Sequence, residues 1–255
     1  MNDTVQLTFD GDVATLTIDR PDRLNALNEA TLEGMADALD EARGEARVLV
    51  VTGAGEKAFA AGADISRMAE MSVEEAHAYC EQGHAVMNAV ESFPAPVIAA
   101  LNGYAFGGGC ELALACDLRI ASERAVIGQT EIDLGIVPGW GGTQRLVRLV
   151  GDETARRLVF FGERVDAQDA LELDLVSEVV AHDELDEYVA GMAADLAEKP
   201  QFAMAAAKEA INEAHEMGQR EGLDFERRLW SSLFGTPDQR EGMDAFLNDR
   251  DPEFE

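Results

Sequence analysis

A chain of 255 residues, 47% apolar and 27% charged, is long enough to bury one large core and too apolar to be intrinsically disordered. Its 50 acids against 20 bases give a formal charge of −30, with no basic stripe to offset it, which argues against a nucleic-acid backbone as partner. No uncharged apolar run approaches the roughly 18 residues of a membrane span.

In chain order, the N-terminal MNDTVQLTFDGD lacks a basic start and apolar core, so no secretory signal is expected. Residues 4–9 and 13–18 alternate apolar and polar positions around Gly11–Asp12, which predicts a β-hairpin. A connecting loop over 20–27 precedes a helix at about 29–42. RVLVVTG, 47–53, reads as a buried strand, and 54–65 as a loop of small residues open to close backbone approach. A helix at about 73–91 and a second buried strand within 94–103 come next. From Gly107 to Ala115 glycines give way to a helix-forming run, then come a strand near 117–121 and a short one at 125–128. Helices are expected at 142–149 and 152–160, and a short helix with a strand over 165–180. Amphipathic helices at 183–197, 201–217 and 220–233 and a short one at 238–248 close the chain, broken near Pro200, Gly218 and Pro237. Leu223, Leu229, Trp230 and Leu233 leave an apolar side on 220–233 that faces either the core or another subunit.

Two segments carry the chemistry. NGYAFGGGCELALACD, 102–117, and IGQTEIDLGIVPGWGGTQRL, 127–146, each place one carboxylate, Glu111 and Glu131, in a run too apolar and glycine-rich for ordinary surface. Gly107, Gly108 and Gly109 allow close backbone approach, and the helix start after them leaves N–H groups suited to a developing oxyanion. A tight-packing turn is the alternative. A second N–H from the 61–64 loop would complete an oxyanion pair. Glu111 and Glu131 would then divide acid and base work on carbons adjacent to a carbonyl, or else simply satisfy local N–H groups. A carboxylate pair also fits glycoside hydrolysis, but no aromatic sugar platform accompanies it. Neither GxGxxG after a first strand nor GxxxxGK[ST] occurs, so nucleotide-phosphate motifs are missing.

KAFAAGADI at 57–65, the 102–117 segment and GQTEIDLGIVPGWGGTQRL at 128–146 together resemble the enoyl-CoA hydratase, or crotonase, family along nearly the whole chain. The resemblance implies an α/β fold, a spiral of ββα units over about 1–197, with a helical oligomerisation region at 198–255 used for trimers or dimers of trimers. It implies that the backbone N–H groups of Ala63 and Gly108 form the oxyanion hole for an acyl-CoA thioester. Glu111 takes the first catalytic glutamate position, orienting water, and Glu131 the second, transferring the α-carbon proton. Ala61, Asp64, Ile65 and Ser66 fall in the acyl-CoA loop, and Leu24 and Ala26 in a CoA-facing segment. Arg23 is a candidate for the CoA phosphates. Asp64 has the alternative of shaping its loop, Trp140 lines the pocket or packs, and Ser66 stands where many relatives carry lysine.

The implied activity is reversible hydration of trans-2-enoyl-CoA to (3S)-3-hydroxyacyl-CoA in fatty-acid β-oxidation. Double-bond isomerisation or another acyl-CoA enolate reaction is the alternative, and a non-enzymatic assembly protein the distant one. Coenzyme A belongs to the substrate, and the chemistry asks for no metal, flavin or nicotinamide. His77, His84, His182 and His215 form no close ligand pattern, and Cys110 lacks an evident histidine base. Cys80, Cys110 and Cys116 suggest neither disulfides nor CxxC, as expected in a reducing cytoplasm. The spread acids and only three lysines, Lys57, Lys199 and Lys208, match cytoplasmic proteins of salt-accumulating halophiles, pointing to a haloarchaeal member; a function-specific acidic surface is the alternative.

Overall fold

A computed structural model describes residues 3–254. Val5–Asp10 (β1) and Val13–Ile18 (β2) pair antiparallel, from Val5 opposite Ile18 to Asp10 opposite Val13. Glu29–Ala42 (α1) starts where the Asn28 side chain accepts the Thr31 N–H, and its Leu32, Met35 and Leu39 are buried on one face. Three turns of a spiral come after it. Val48–Gly53 (β3) leads to Ala58–Ala60 (β4), then to the short Ile65–Met68 (α2) and Val73–Glu91 (α3). Ser72 and Glu75 close a reciprocal capping box at the start of α3. Val97–Leu101 (β5) leads to Tyr104–Phe106 (β6) and Gly108–Ala115 (α4). Leu118–Ser122 (β7) leads to Val126–Gly128 (β8), a 3-10 turn at Glu131–Leu134, then Gly142–Val150 (α5) and Asp152–Phe161 (α6).

Within each turn the first strand joins one sheet and the second another. After Arg164–Asp166 (β9), Ala167–Glu172 (α7) and Glu178–Val180 (β10), the sheets are β1-β2-β3-β5-β7-β10 and β4-β6-β8-β9. Strands β2, β3, β5, β7 and β10 run parallel, as do β4, β6 and β8. Alternation along β3 sends Leu49 and Val51 into the core with α1 and α3. Val48 and Val50 face the other way, onto Leu185, Val189 and Ala193 of Leu185–Ala197 (α8). This is the α/β spiral with a helical C-terminal region that the sequence led us to expect.

Three details differ. Residues 54–65, expected as loop, contain β4 and the start of α2, and β6 and β9 are strands that no sequence pattern marked. Three residues are too few to show a period; what makes them strands is the ladder each finds. Second, the helix expected over 201–217 is Gln201–Glu213 (α9). Third, neither α9 nor Gln219–Ser232 (α10) buries a residue, so the apolar side of α10 is not core-facing within the chain: Trp230 is 62% exposed. Instead α9 is tied down by polar contacts. Lys208 pairs with Asp117 at 2.7 Å, and the Asn212 amide donates to the Glu91 carbonyl at 3.1 Å. Pro237–Leu247 (α11) ends the fold, leaving Phe246 and Leu247 exposed. No helix among the described residues is long and apolar enough to cross a membrane.

The link between β2 and α1 is organised by Asn25. Fully buried, and at φ +57°, it donates from Nδ2 to the carbonyls of Ala58 (2.7 Å) and Ala54 (3.0 Å) and accepts the Arg20 N–H at 2.9 Å. Asn25→Ala strands these groups and forces a Cβ-bearing residue without compensating bonds into the left-handed region. We expect it to lower the unfolding free energy by about 3 kcal/mol in urea titrations run in molar KCl. Asn25→Gly should lose less, because it relieves the backbone part of the cost; equal losses would mean that the backbone conformation contributes nothing.

Candidate active site

Strands β4, β6 and β8 of the smaller sheet run parallel, with β9 antiparallel to β8, and the chain leaves β4, β6 and β8 at the same edge. Residues 61–64, 107–111 and 129–131 are the segments just beyond those strands. The first is zipped to the 24–27 segment. Ala61 N–H donates to the Leu24 carbonyl (2.9 Å), Leu27 N–H to Gly62 (2.8 Å) and Asp64 N–H to Leu27 (2.9 Å). In this single parallel bridge the bonds are made by the neighbours of Ala63, so the N–H of Ala63 itself points to the opposite side.

The second segment begins with Gly107, whose φ of +48° and ψ of −121° turn the chain from β6 into α4. Gly109 then packs so closely on β4 that a Cβ there would lie 1.8 Å from the Ala60 carbonyl oxygen. Gly108, first residue of α4, has the unpaired N–H that every helix start leaves. Among the described residues, no protein acceptor takes the N–H of Ala63 or of Gly108. Both residues line one cavity of about 270 Å³, together with Glu111, Glu131, Tyr79 and Trp140.

Glu111 lies in the first turn of α4 and is buried. Its Oε1 accepts the N–H groups of Trp140 and Gly142, both at 2.7 Å. Burial pushes its pKa up, while these N–H groups and the charge of Arg145 act in the opposite direction. Glu131 opens the 3-10 turn after β8 and is also buried. With its amide nitrogen turned toward them, Gln129 lies 3.1 Å from both Glu131 carboxylate oxygens. Desolvation first, and the nearby Glu111 charge second, push the Glu131 pKa up to about 7. The two acids thus share a cavity, but Glu111 is held by main-chain donors and Glu131 by a side-chain amide.

Trp140 both lines the cavity and packs. Its ring lies against Gly83 and Gly108, where a Cβ would come within 2.1 and 2.4 Å of it, and meets Tyr79 edge-on at 5.3 Å. Ala61 and half-exposed Ile65 also line the cavity. Leu24 stands at the surface, with its carbonyl holding Ala61, and the Ala26 carbonyl accepts from Arg20. Asp64 is turned to Arg20 at 3.2 Å, the loop-shaping arrangement. Arg23 and Ser66 are exposed outside the cavity. Cys110 is buried with its thiol pushed up by desolvation, in keeping with packing. Sequence reasoning missed Gln129, Arg145 and Tyr79. Only Gln129 carried a signal, as an amide two residues from Glu131 in an apolar run.

The chain matches a family model and several known proteins along nearly its whole length. A family model described as enoyl-CoA hydratase/isomerase matches residues 8–255. The short-chain-enoyl-CoA hydratase of Clostridium acetobutylicum is 44% identical over 248 residues, covering 96% of this chain and 95% of that protein. The crotonyl-CoA hydratase of Syntrophomonas wolfei is 42% identical over 244 residues, covering 95% and 94%. A solved enoyl-CoA hydratase from Bacillus anthracis superposes with a TM-score of 0.95 at 39% identity, covering 98% of each chain.

The environment of Glu131 has a measurable cost. An unfolded glutamate releases its proton near 4.5, but the folded one holds it to about 7. Between those values the folded state binds the extra proton, so stability falls as pH rises through the window and the penalty is complete above it. A shift of this size corresponds to about 3 kcal/mol. Glu131→Gln should therefore gain stability relative to wild type by about 2–3 kcal/mol on going from pH 4.5 to pH 8, read from urea unfolding at both pH values. A difference that does not change with pH would place the Glu131 pKa in the ordinary range.

Proposed function

The chain belongs to the enoyl-CoA hydratase/isomerase family, and from that premise we propose that it reversibly hydrates trans-2-enoyl-CoA to (3S)-3-hydroxyacyl-CoA in fatty-acid β-oxidation. The observation that carries this reading is the convergence of two buried carboxylates and two unpaired N–H groups on one cavity. In the proposed step the thioester oxygen accepts from Ala63 and Gly108 N–H. Charge that develops there in the enolate is stabilised by donors already in place. Glu111 takes a proton from water as the water oxygen bonds to C3. The C2–C3 π electrons move toward the carbonyl, and Glu131 delivers a proton to C2. Burial raises the Glu111 pKa overall, and the two N–H bonds, which oppose that rise and favour its ionised form, support its role as the base. Glu131, with its raised pKa, is suited to hold the proton.

Retention of both acids favours hydration over isomerisation, which needs one group to shuttle a proton. The names of the Clostridium and Syntrophomonas relatives support short acyl chains, and crotonyl-CoA is the substrate to try first. The CoA portion would run along the zipped 24–27 and 61–64 segments, with exposed Arg23 available to its phosphates. Exposed Trp230, Phe234 and Phe246 support assembly into a trimer or dimer of trimers through the helical region at 198–255. The −30 charge supports a cytoplasm of high salt, and a haloarchaeal source.

The direct test monitors loss of the conjugated thioester of crotonyl-CoA in molar KCl and identifies the product. Wild type should form (3S)-3-hydroxybutyryl-CoA, and Glu111→Gln and Glu131→Gln should each lose at least about 100-fold in kcat. Formation of a 3-enoyl isomer alone, or no turnover by a folded protein that binds CoA, would overturn the assignment. The pH profile adds a second check. Because protonated Glu131 supplies the C2 proton, kcat/KM for hydration should fall as pH rises through about 7, and for dehydration should fall as pH drops through it.

A further inference from the structure

The two N–H groups that hold Glu111 come from the turn at 139–142, and a turn fixes a carboxylate only as well as it is itself fixed. Arg145 of α5 reaches back over that turn. Its Nη1 donates to the Trp140 carbonyl at 3.0 Å, the other side of the residue whose N–H binds Glu111. The remaining edges of the guanidinium are anchored on α3. Nε and Nη2 meet the two Glu91 carboxylate oxygens at 3.2 and 2.8 Å, and Nη2 also meets Asn88 Oδ1 at 2.9 Å. The arginine side chain is only 13% exposed. Gly141, at φ +111°, leaves it room, since a Cβ there would fall 2.1 Å from Nη1.

The anchor is placed where an acid is otherwise unfavourable. Glu91 is the last residue of α3, at the negative end of the helix dipole. Its pairing with Arg145 offsets that repulsion and gives the guanidinium a rigid mount. Four bonds to three acceptor groups in different directions also require a planar fork, which a lysine ammonium does not reproduce.

We propose that Arg145 is a positioning residue for the acid–base step: anchored on Glu91 and Asn88, it fixes through the Trp140 carbonyl the turn whose N–H groups orient Glu111. This rests on the hydratase reading for its kinetic consequence, but the mechanical part stands on the contacts alone. Two readouts separate them. In amide hydrogen exchange, Arg145→Lys should speed exchange of the Trp140 and Gly142 N–H groups about tenfold or more, with β3 and β5 unchanged. In the crotonyl-CoA assay, the same variant should lose about 10–100-fold in kcat, the scale of a displaced catalytic group, with KM within about threefold of wild type. Glu91→Gln removes the anchor without touching the turn. It should shift both readouts in the same direction by less, and should add little to Arg145→Lys in the double variant. Should Arg145→Lys fail to fold, Glu91→Gln and Asn88→Ala carry both measurements. Unchanged exchange at Trp140 and Gly142 would overturn the clamp, and kcat within twofold of wild type in an active enzyme would overturn its role in positioning Glu111. Faster exchange in a protein whose wild type hydrates no enoyl-CoA would retain the clamp as structure and reject its catalytic role together with the hydratase assignment.

Discussion

A buried carboxylate accepting two main-chain N–H groups is the constraint around which this molecule is arranged. Removing Glu111 from water costs several kcal/mol unless its oxygens find strong donors. The N–H groups of Trp140 and Gly142, both at 2.7 Å, are those donors. Gly142 opens α5, where helix-start N–H groups have no partner of their own, and the left-handed Gly141 before it brings the Trp140 N–H to the same oxygen. The bond therefore has two functions at once. It satisfies a helix terminus, and it leaves a carboxyl oxygen in an apolar wall. Replacing Glu111 by an apolar residue would return the wall to hydrocarbon but leave two buried N–H groups empty.

That arrangement needs three distant stretches of chain to arrive at one place, and the smaller sheet accomplishes this. β4, β6 and β8 are parallel, and their carboxyl ends run into the 61–64 loop, the glycine turn before α4, and the 129–131 segment respectively. Sites at the carboxyl ends of parallel strands recur because that edge collects loops and helix starts in one orientation. Here the spiral repeats the delivery. Each turn contributes one strand to the large sheet, which is buried between α1 and α8, and one to the small sheet, which aims a loop. Rigidity comes from the first and placement from the second.

The division also explains what could be read in the sequence. α1, α3 and the buried strands β3 and β5 show full periods or long apolar runs, and the chain folds them where the pattern puts them. Glu111 and Glu131 were legible for the opposite reason, as charges that violate an apolar run. β4 and β6, the two strands that lead into Ala63 and Gly108, were invisible, because three residues carry no period and their identity lies in the ladder with strands far along the chain. Asn25 and Arg145 were equally hidden. The carbonyls Asn25 holds lie 29 and 33 residues away, and the Glu91 paired with Arg145 lies 54 away, so nothing local distinguishes either from a surface polar residue. For α10 the helix was legible but its face was not, since amphipathicity announces that a partner is needed without saying whether the same chain supplies it.

The large negative charge and the cavity of Glu111 and Glu131 draw on different electrostatics. Most of the acids stand in solvent, where repulsion acts through water and is screened within about 10 Å at 0.1 M salt. Three of the bases do not take part in that field on equal terms. Arg20, Arg145 and Lys208 have side chains only 15%, 13% and 10% exposed, each bonded to an acid and to main-chain carbonyls. Such pairs are shielded from mobile ions, so added salt relieves the surface and leaves them largely as they are. A protein with few bases has placed several of them inward, where they set loop and helix positions, and left neutralisation of the exterior to the solvent. Salt concentration thus acts mainly on whether the shell is stable, and much less on the distances around Glu111.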